Sequence, residues 1–223
     1  MKGIILLGGP AHSGKTTLAQ ALKEVLPNSV IVDGVSRGIH STIRSIFPDF
    51  SSLSPDLSKD ELYWFQKGVV ALYQLVLQDI RKKKESLDWV IWVRWPKDIA
   101  YYTWLMYKRQ GWTPDERKIG IYKEVRNLEL SLLEFPVYLF LCELPPASAY
   151  QNDDVRYFTY DEILHHYVFL RELVMMKGVK GTELYWNHFY NVIPWCGSVE
   201  KKKQVGIDII FHSIGEKEEP NNG

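Results

Sequence analysis

Hydrophobic positions along this chain alternate between two periods from the N-terminus onward. Gly3-Ile4-Ile5-Leu6-Leu7 is apolar at consecutive positions, the pattern of a strand covered on both faces, and it predicts the central first strand of a parallel sheet. Beyond a glycine-rich stretch, Thr17 to Leu26 carries Leu18, Ala21, Leu22 and Val25 at helical spacing until Pro27-Asn28 ends the pattern. A second strand is expected over Ser29–Asp33. A long helix follows from Lys59 to Lys84, with Leu62, Phe65, Val69, Leu72, Val76 and Ile80 on its apolar stripe and Arg81-Lys82-Lys83-Lys84 as a solvated basic end that complements the helix dipole. The pattern then predicts a strand at Trp89–Val93, helices near Asp98–Gln110 and Pro114–Leu133, and a fourth strand at Val137–Cys142.

Leu144-Pro145-Pro146 interrupts the alternation, and the polar stretch Tyr150 to Thr159 reads as a loop or lid. A helix is expected from Tyr160 to Lys177, a last strand near Asn191–Pro194 and a final helix from Ser198 to Ile214. Strands alternating with helices predict a doubly wound parallel sheet in one domain, residues 1–214, with a lid near 145–159 and a disordered polar tail at 215–223.

Composition narrows the functional classes. The 27 basic and 27 acidic side chains among 223 residues give no net field toward phosphate backbone or anionic lipid, so nucleic acid and membrane are not expected partners. Cys142 and Cys196 stand far apart and outside any metal-ligand spacing, as ordinary thiols of a reducing compartment do. The opening apolar run is too short for a signal segment or a membrane span, and the expected location is the cytoplasm.

Chemistry concentrates first at Gly9-Pro10-Ala11-His12-Ser13-Gly14-Lys15-Thr16, which fits G-x-x-x-x-G-K-[ST] between an apolar strand and an amphipathic helix. Gly9 and Gly14 let the backbone curl so that N–H groups face one centre, to which the helix N-terminus adds its positive dipole. The expected ligand is Mg-ATP, cradled by Gly9, His12, Ser13, Gly14, Lys15, Thr16 and Thr17. Lys15 neutralises the β- and γ-phosphates, and the Thr16 hydroxyl is a ligand for Mg²⁺.

Residues that close strands come next, because ligands of such sheets collect beyond the carboxyl ends of the strands. Asp33 suits a general base or Mg²⁺ support, or else caps the helix after it, and Arg37 one turn on can hold a polar part of the acceptor. Arg94 can brace the transferring phosphoryl group while Asp98 and Tyr101 meet the acceptor, unless Arg94 and Asp98 form only a salt bridge. Arg156, in the lid stretch, is placed to act as an arginine finger or stands as a solvated loop charge. Trp92 and Trp95 lie where an aromatic could stack on a base, and His165-His166, adjacent on a helix, point apart.

Taken in order, GGPAHSGKT, Asp33-x-x-x-Arg37, Trp64-Phe65-Gln66, Arg94-x-x-x-Asp98 with Tyr101, and Leu144-Pro145-Pro146 leading to Asp154-Val155-Arg156-Tyr157 resemble the AAA-like P-loop kinase family that includes ribosylnicotinamide kinase domains, over roughly Lys2 to Ile214. More distantly, the pattern is similar to deoxynucleoside and thymidylate kinases. The resemblance implies a three-layer α/β P-loop NTPase of the nucleoside and nucleotide kinase kind. It further implies ATP-dependent phosphorylation of a small nucleoside-like or nucleotide acceptor, with Asp33 and Arg94 matching the family's acidic residue after the second strand and its arginine after the third. Two positions depart from the pattern: the family's Asp before that arginine is Val93 here, and Asp33 stands where Glu is often found. A polynucleotide 5′-kinase and a regulatory nucleotide-binding module that turns over slowly are the competing functions, and a homodimer is left open.

Overall fold

The computed structural model describes residues 1–47, 56–149, 158–175 and 189–215, apart from the side chains of 35–37, 40, 149, 173–175, 189 and 190. Its elements are β1 (Gly3–Gly8), α1 (Lys15–Val25), β2 (Ser29–Val32), α2 (Val35–Ile46), α3 (Lys59–Lys83), β3 (Trp89–Val93), α4 (Lys97–Arg109), α5 (Glu116–Leu132), β4 (Val137–Cys142), α6 (Tyr160–Met175), β5 (Phe189–Ile193) and α7 (Val199–Gly215), with a short 3-10 turn at Ala147–Ala149. They divide into two compact units, the first built from Met1–Asp33, Glu85–Trp95 and Phe135–Gly223, the second from Gly34–Lys84 and Pro96–Glu134.

The first unit is a five-stranded sheet in the order β2-β3-β1-β4-β5, with every described pairing parallel. β1 lies in the middle, and all six of its residues are buried, which is why its sequence is apolar without alternation. Alternate residues of three strands, Ile5 and Leu7, Ile91 and Val93, and Tyr138, Phe140 and Cys142, gather in one core cluster with Leu18 and Leu22 of α1 and Ile210 and Ile214 of α7. Period-2 positions from the sheet thus meet period-3.6 positions from two helices, and the burial of both stripes drives the packing.

The second unit is helical. α3 packs along α5, α2 and α4, and its N-terminus carries a reciprocal capping box in which Ser58 accepts from the Glu61 N–H at 3.2 Å and Glu61 accepts from the Ser58 N–H at 2.8 Å. The basic run expected at the α3 end is partly engaged, since Arg81 makes two 2.8 Å bonds to the Glu134 carboxylate. Asp115 caps α5 by accepting from the Lys118 N–H at 3.2 Å, and it also takes the Tyr107 hydroxyl at 2.6 Å and Lys59 Nζ at 3.3 Å, joining α3, α4 and α5 at one carboxylate.

The Tyr107 hydrogen bond, with help from the Lys118 N–H and Lys59, holds the Asp115 carboxyl below its ordinary 3.8. Replacing Asp115 with Ala is therefore expected to cost about 2 kcal/mol at pH 7, a loss of cap and hydrogen bonds that lowers Tm by about 5 °C. Because the folded pKa is depressed, this contribution is complete above the ordinary value of 3.8 and drains as pH falls through the folded one. Thermal melts of the wild type and variant should thus converge in acid.

Boundaries differ from expectation in ways that matter for the site. α1 begins at Lys15, inside the glycine loop, rather than at Thr17, because the left-handed Gly14 caps it at φ 77°. β2 stops at Val32, one residue early, so Asp33 leaves the ladder. The helix after Asp33 is α2, and β5 starts at Phe189, ahead of Asn191. Residues 150–157, which hold most of the expected lid, and the tail from 216 lie outside the described residues. Among the described residues no helix is long and apolar enough to cross a membrane.

Candidate functional site

The carboxyl end of β1 runs directly into the glycine loop. Three residues of this loop have left-handed backbone: Gly9 at φ 130°, His12 at φ 60° and Gly14 at φ 77°. Alternation of this kind turns successive N–H groups toward a common centre. Gly9 is also sterically required, since a Cβ there would stand 2.7 Å from the Cys142 carbonyl oxygen and 2.9 Å from Ser13 Oγ. α1 has no side-chain cap and no acidic residue of its own in its first turn, so its N-terminal dipole faces the loop.

Within the loop, Ser13 is fully buried and donates to the Pro10 carbonyl at 2.8 Å. Lys15, only 6% exposed, donates from Nζ to the same carbonyl and to Ser13 Oγ, the latter at 3.0 Å. The loop thus holds its lysine within its own curl. Thr16 and Thr17 are exposed on the first turn of α1.

Asp33 is brought to this loop by sheet order. β3 is flanked by β1 and β2, with Val32 level with Trp92 and Trp92 level with Leu6, so the residues that follow emerge along one edge. There Thr16 Oγ1 donates to Asp33 Oδ2 at 3.1 Å. The N-cap of α2 is Gly34, with no side-chain cap bond, so the capping role weighed for Asp33 falls to its neighbour. A hydroxyl and a carboxylate at hydrogen-bond distance are hard oxygen donors of the kind Mg²⁺ accepts, and Mg²⁺ characteristically takes one or two protein groups and completes its shell with water and phosphate. The pair fits that ion. Among the described residues no cluster of three or more His, Cys, Asp or Glu makes a self-sufficient metal cage.

Arg94 ends β3 on the same edge. Its backbone N–H donates to the Leu7 carbonyl at 3.0 Å, and its φ of 83° is left-handed. An arginine in that region is strained by roughly 1–2 kcal/mol relative to glycine. Val93 before it is 2% exposed and belongs to the core cluster, consistent with an apolar residue where a related pattern has Asp.

Asp98 and Tyr101 belong to the second unit, on α4, where they are 4% and 1% exposed. Arg37 lies on α2 with its side chain outside the described residues, and Arg156 is outside them altogether. Trp92 is fully buried and Trp95 nearly so. His165 is exposed and His166 buried on α6, pointing apart as helical neighbours must.

One group at this edge escaped the sequence reading. Lys202 of α7 is 4% exposed, and its Nζ donates to the Glu143 carbonyl at 2.7 Å while standing 5.7 Å from the Trp195 ring centre. Glu143 in turn accepts the Trp195 N–H at 3.1 Å. Burial lowers the Lys202 pKa, against the opposing pull of Cys142, Glu143 and Cys196. Burial raises that of the Cys142 thiol, against Lys202 and Lys15. The missed signal was the spacing Lys202, Gly206, Ile210, Ile214, which puts the lysine at the head of a buried stripe.

No family model and no curated protein matches the chain. Solved structures do share its fold. A thymidylate kinase from Candida albicans superposes with a TM-score of 0.58 at 15% identity, over 99% of this chain and 96% of that one. A thymidylate kinase from Ehrlichia chaffeensis gives 0.55 at 16% identity, over 93% and 98%. The NadR protein in complex with NR gives 0.59 at 15% identity, over 99% of this chain and 54% of NadR, so the chain spans about half of that protein's length. At these identities the likeness establishes the fold alone, a three-layer α/β arrangement with a parallel sheet flanked by helices, which this chain shares with those kinases.

Proposed function

We propose that this chain is a Mg-ATP-dependent phosphotransferase, cytoplasmic, whose acceptor is a small nucleoside-like or nucleotide molecule. The observation that carries the reading is the 3.1 Å hydrogen bond from Thr16 to Asp33, which couples a P-loop hydroxyl to a carboxylate at the open edge of the sheet. The kinase-like fold and the buried Lys15 support the same conclusion.

In this reading the backbone of Gly9, His12, Ser13 and Gly14 cradles the phosphates, helped by Thr17, and Lys15 moves from the Pro10 carbonyl to the β- and γ-phosphates. Mg²⁺, when bound with the nucleotide, would lie with Thr16 and Asp33 and supply neutralisation of charge on the phosphate oxygens. Asp33 accepts the proton of the acceptor hydroxyl as that oxygen attacks the γ-phosphorus and the bond to the β-phosphate oxygen breaks, leaving ADP. Arg94 and Arg156 stabilise the charge on the transferring group, and Arg37, Asp98 and Tyr101 orient the acceptor.

A second reading, a nucleotide-binding regulatory module, draws on one observation: Val93 is a core residue where a metal-supporting carboxylate would otherwise stand. The test is ADP release from Mg-ATP against ribonucleosides, deoxynucleosides, nicotinamide riboside and their monophosphates. One acceptor should stimulate turnover. Asp33→Asn should then cut that turnover about a hundredfold while ATP still binds, in line with the usual worth of a general base. ATP binding with no stimulation by any acceptor would replace the kinase reading with the regulatory one.

A further inference from the structure

The inward stripe of α7 runs through Lys202, Gly206, Ile210 and Ile214, and three of these four suit a helix packed on α1 and the sheet. Lys202 does not. An ammonium at 4% exposure gives up its hydration, and a single backbone carbonyl replaces only part of what water offered. Sequences break the burial rule in this way where a charge has work to perform.

Its surroundings indicate what that work is. A Cβ at Gly14 would lie 3.9 Å from Lys202 Cδ, so the lysine stem faces the residue that caps α1 and closes the phosphate loop, about a methyl group away. Its ammonium holds the Glu143 carbonyl, one residue beyond Cys142, whose own carbonyl is the close neighbour of Gly9 at the loop's other end. Glu143 is further tied through its N–H to the Ile193 carbonyl at 2.9 Å and through its carboxylate to the Trp195 N–H. One side chain therefore lies beside Gly14 and hydrogen-bonds the residue that follows the neighbour of Gly9. It also puts a second buried lysine, in addition to Lys15, within electrostatic reach of Cys142 at this strand end, with Glu143 as the neighbouring carboxylate.

We propose that Lys202 is a positioning residue of the polyphosphate site, fixing the loop between Gly9 and Gly14 and adding buried positive charge that favours a triphosphate. The proposal rests on the Mg-ATP reading above and concerns binding alone, so it does not depend on phosphate transfer. Its ligand class is the polyphosphate chain, independent of the nucleoside attached to it.

Calorimetric titration of the full chain with Mg-ATP and with magnesium tripolyphosphate tests it, using Lys15→Ala as the blank. Lys202→Met keeps the stem and removes the charge, Lys202→Gln keeps a donor for Glu143, and Lys202→Arg keeps the charge. The Met and Gln variants should bind both ligands about tenfold more weakly, with Arg within threefold of wild type. Their Tm should hold or rise, since a buried ammonium is costly to keep. If Met unfolds the protein, Gln alone decides. Tripolyphosphate binding by the folded charge-free variants within twofold of wild type overturns the proposal and leaves the nucleotide reading intact. Wild-type protein that binds neither ligand overturns both.

Discussion

Lys15→Ala is expected to lower acceptor-stimulated ADP release by about a thousandfold and to leave the protein folded. The magnitude follows from what the side chain would do on the phosphates. A preorganised donor in a water-poor site is worth about two to three orders of magnitude in rate when it meets charge that develops during transfer. Lys15 has the required setting, at 6% exposure and fixed by Ser13 Oγ. Folding should survive because Ala sustains the first turn of α1, and the Ser13 to Pro10 bond at 2.8 Å persists without the lysine. Activity and circular dichroism measured on one preparation check both halves, and turnover within tenfold of wild type would remove Lys15 from the chemistry.

Arg94→Gly should separate activity from stability in opposite directions. Glycine adopts the observed φ of 83° freely, so the substitution relieves about 1 kcal/mol of backbone strain and holds Tm level or raises it by about 3 °C. An arginine that stabilises a transferring phosphoryl group is worth about a thousandfold or more, and that much turnover should vanish. A purely structural arginine behaves otherwise, since its loss lowers Tm and leaves the rate of the folded fraction alone. Strain held at a strand end beside a phosphate loop is the pattern of a residue placed for function. Thermal melts and steady-state rates of the glycine variant distinguish the two cases.

Much of the architecture was legible because it rests on local periodicity. β1, β3 and β4 are unbroken apolar runs, and α1 and α3 carry most of their stripes to the core, although Val25 and Leu72 are exposed and Tyr73 and Leu77 take the inner places in the second half of α3. The phosphate loop was legible for a different reason: its glycines are demanded by backbone geometry, and Gly9 has no room for a Cβ. Asp33 could be singled out by its place at a strand end, but its bond to Thr16 depends on β3 lying between β1 and β2, which no local pattern states. Lys202 was hidden by its neighbours, since Lys201-Lys202-Lys203 has the composition of a solvated face and only the Gly206 and Ile210 spacing distinguishes the middle one. Trp92 and Trp95 offered size and position without orientation, and both are buried. Division into two units left no mark either, because neither Asp33-Gly34 nor Trp95-Pro96 is a polar linker.

The central place of β1 sets an order on the birth of this protein. β1, buried along its whole length, is made before both of its neighbours, with Gly3 pairing with Trp89 and Ile4 with Val137. A growing chain carries Ile4, Ile5, Leu6 and Leu7 with neither edge satisfied until Trp89–Val93 has been made, and with one edge open until Val137–Cys142 follows. The Cys142 carbonyl, the close neighbour of Gly9 in the phosphate loop, is made only at the end of β4. Nascent chains halted before Val137 should therefore be held by chaperones and bind no nucleotide, and competence should appear late in synthesis, with the closing of the sheet.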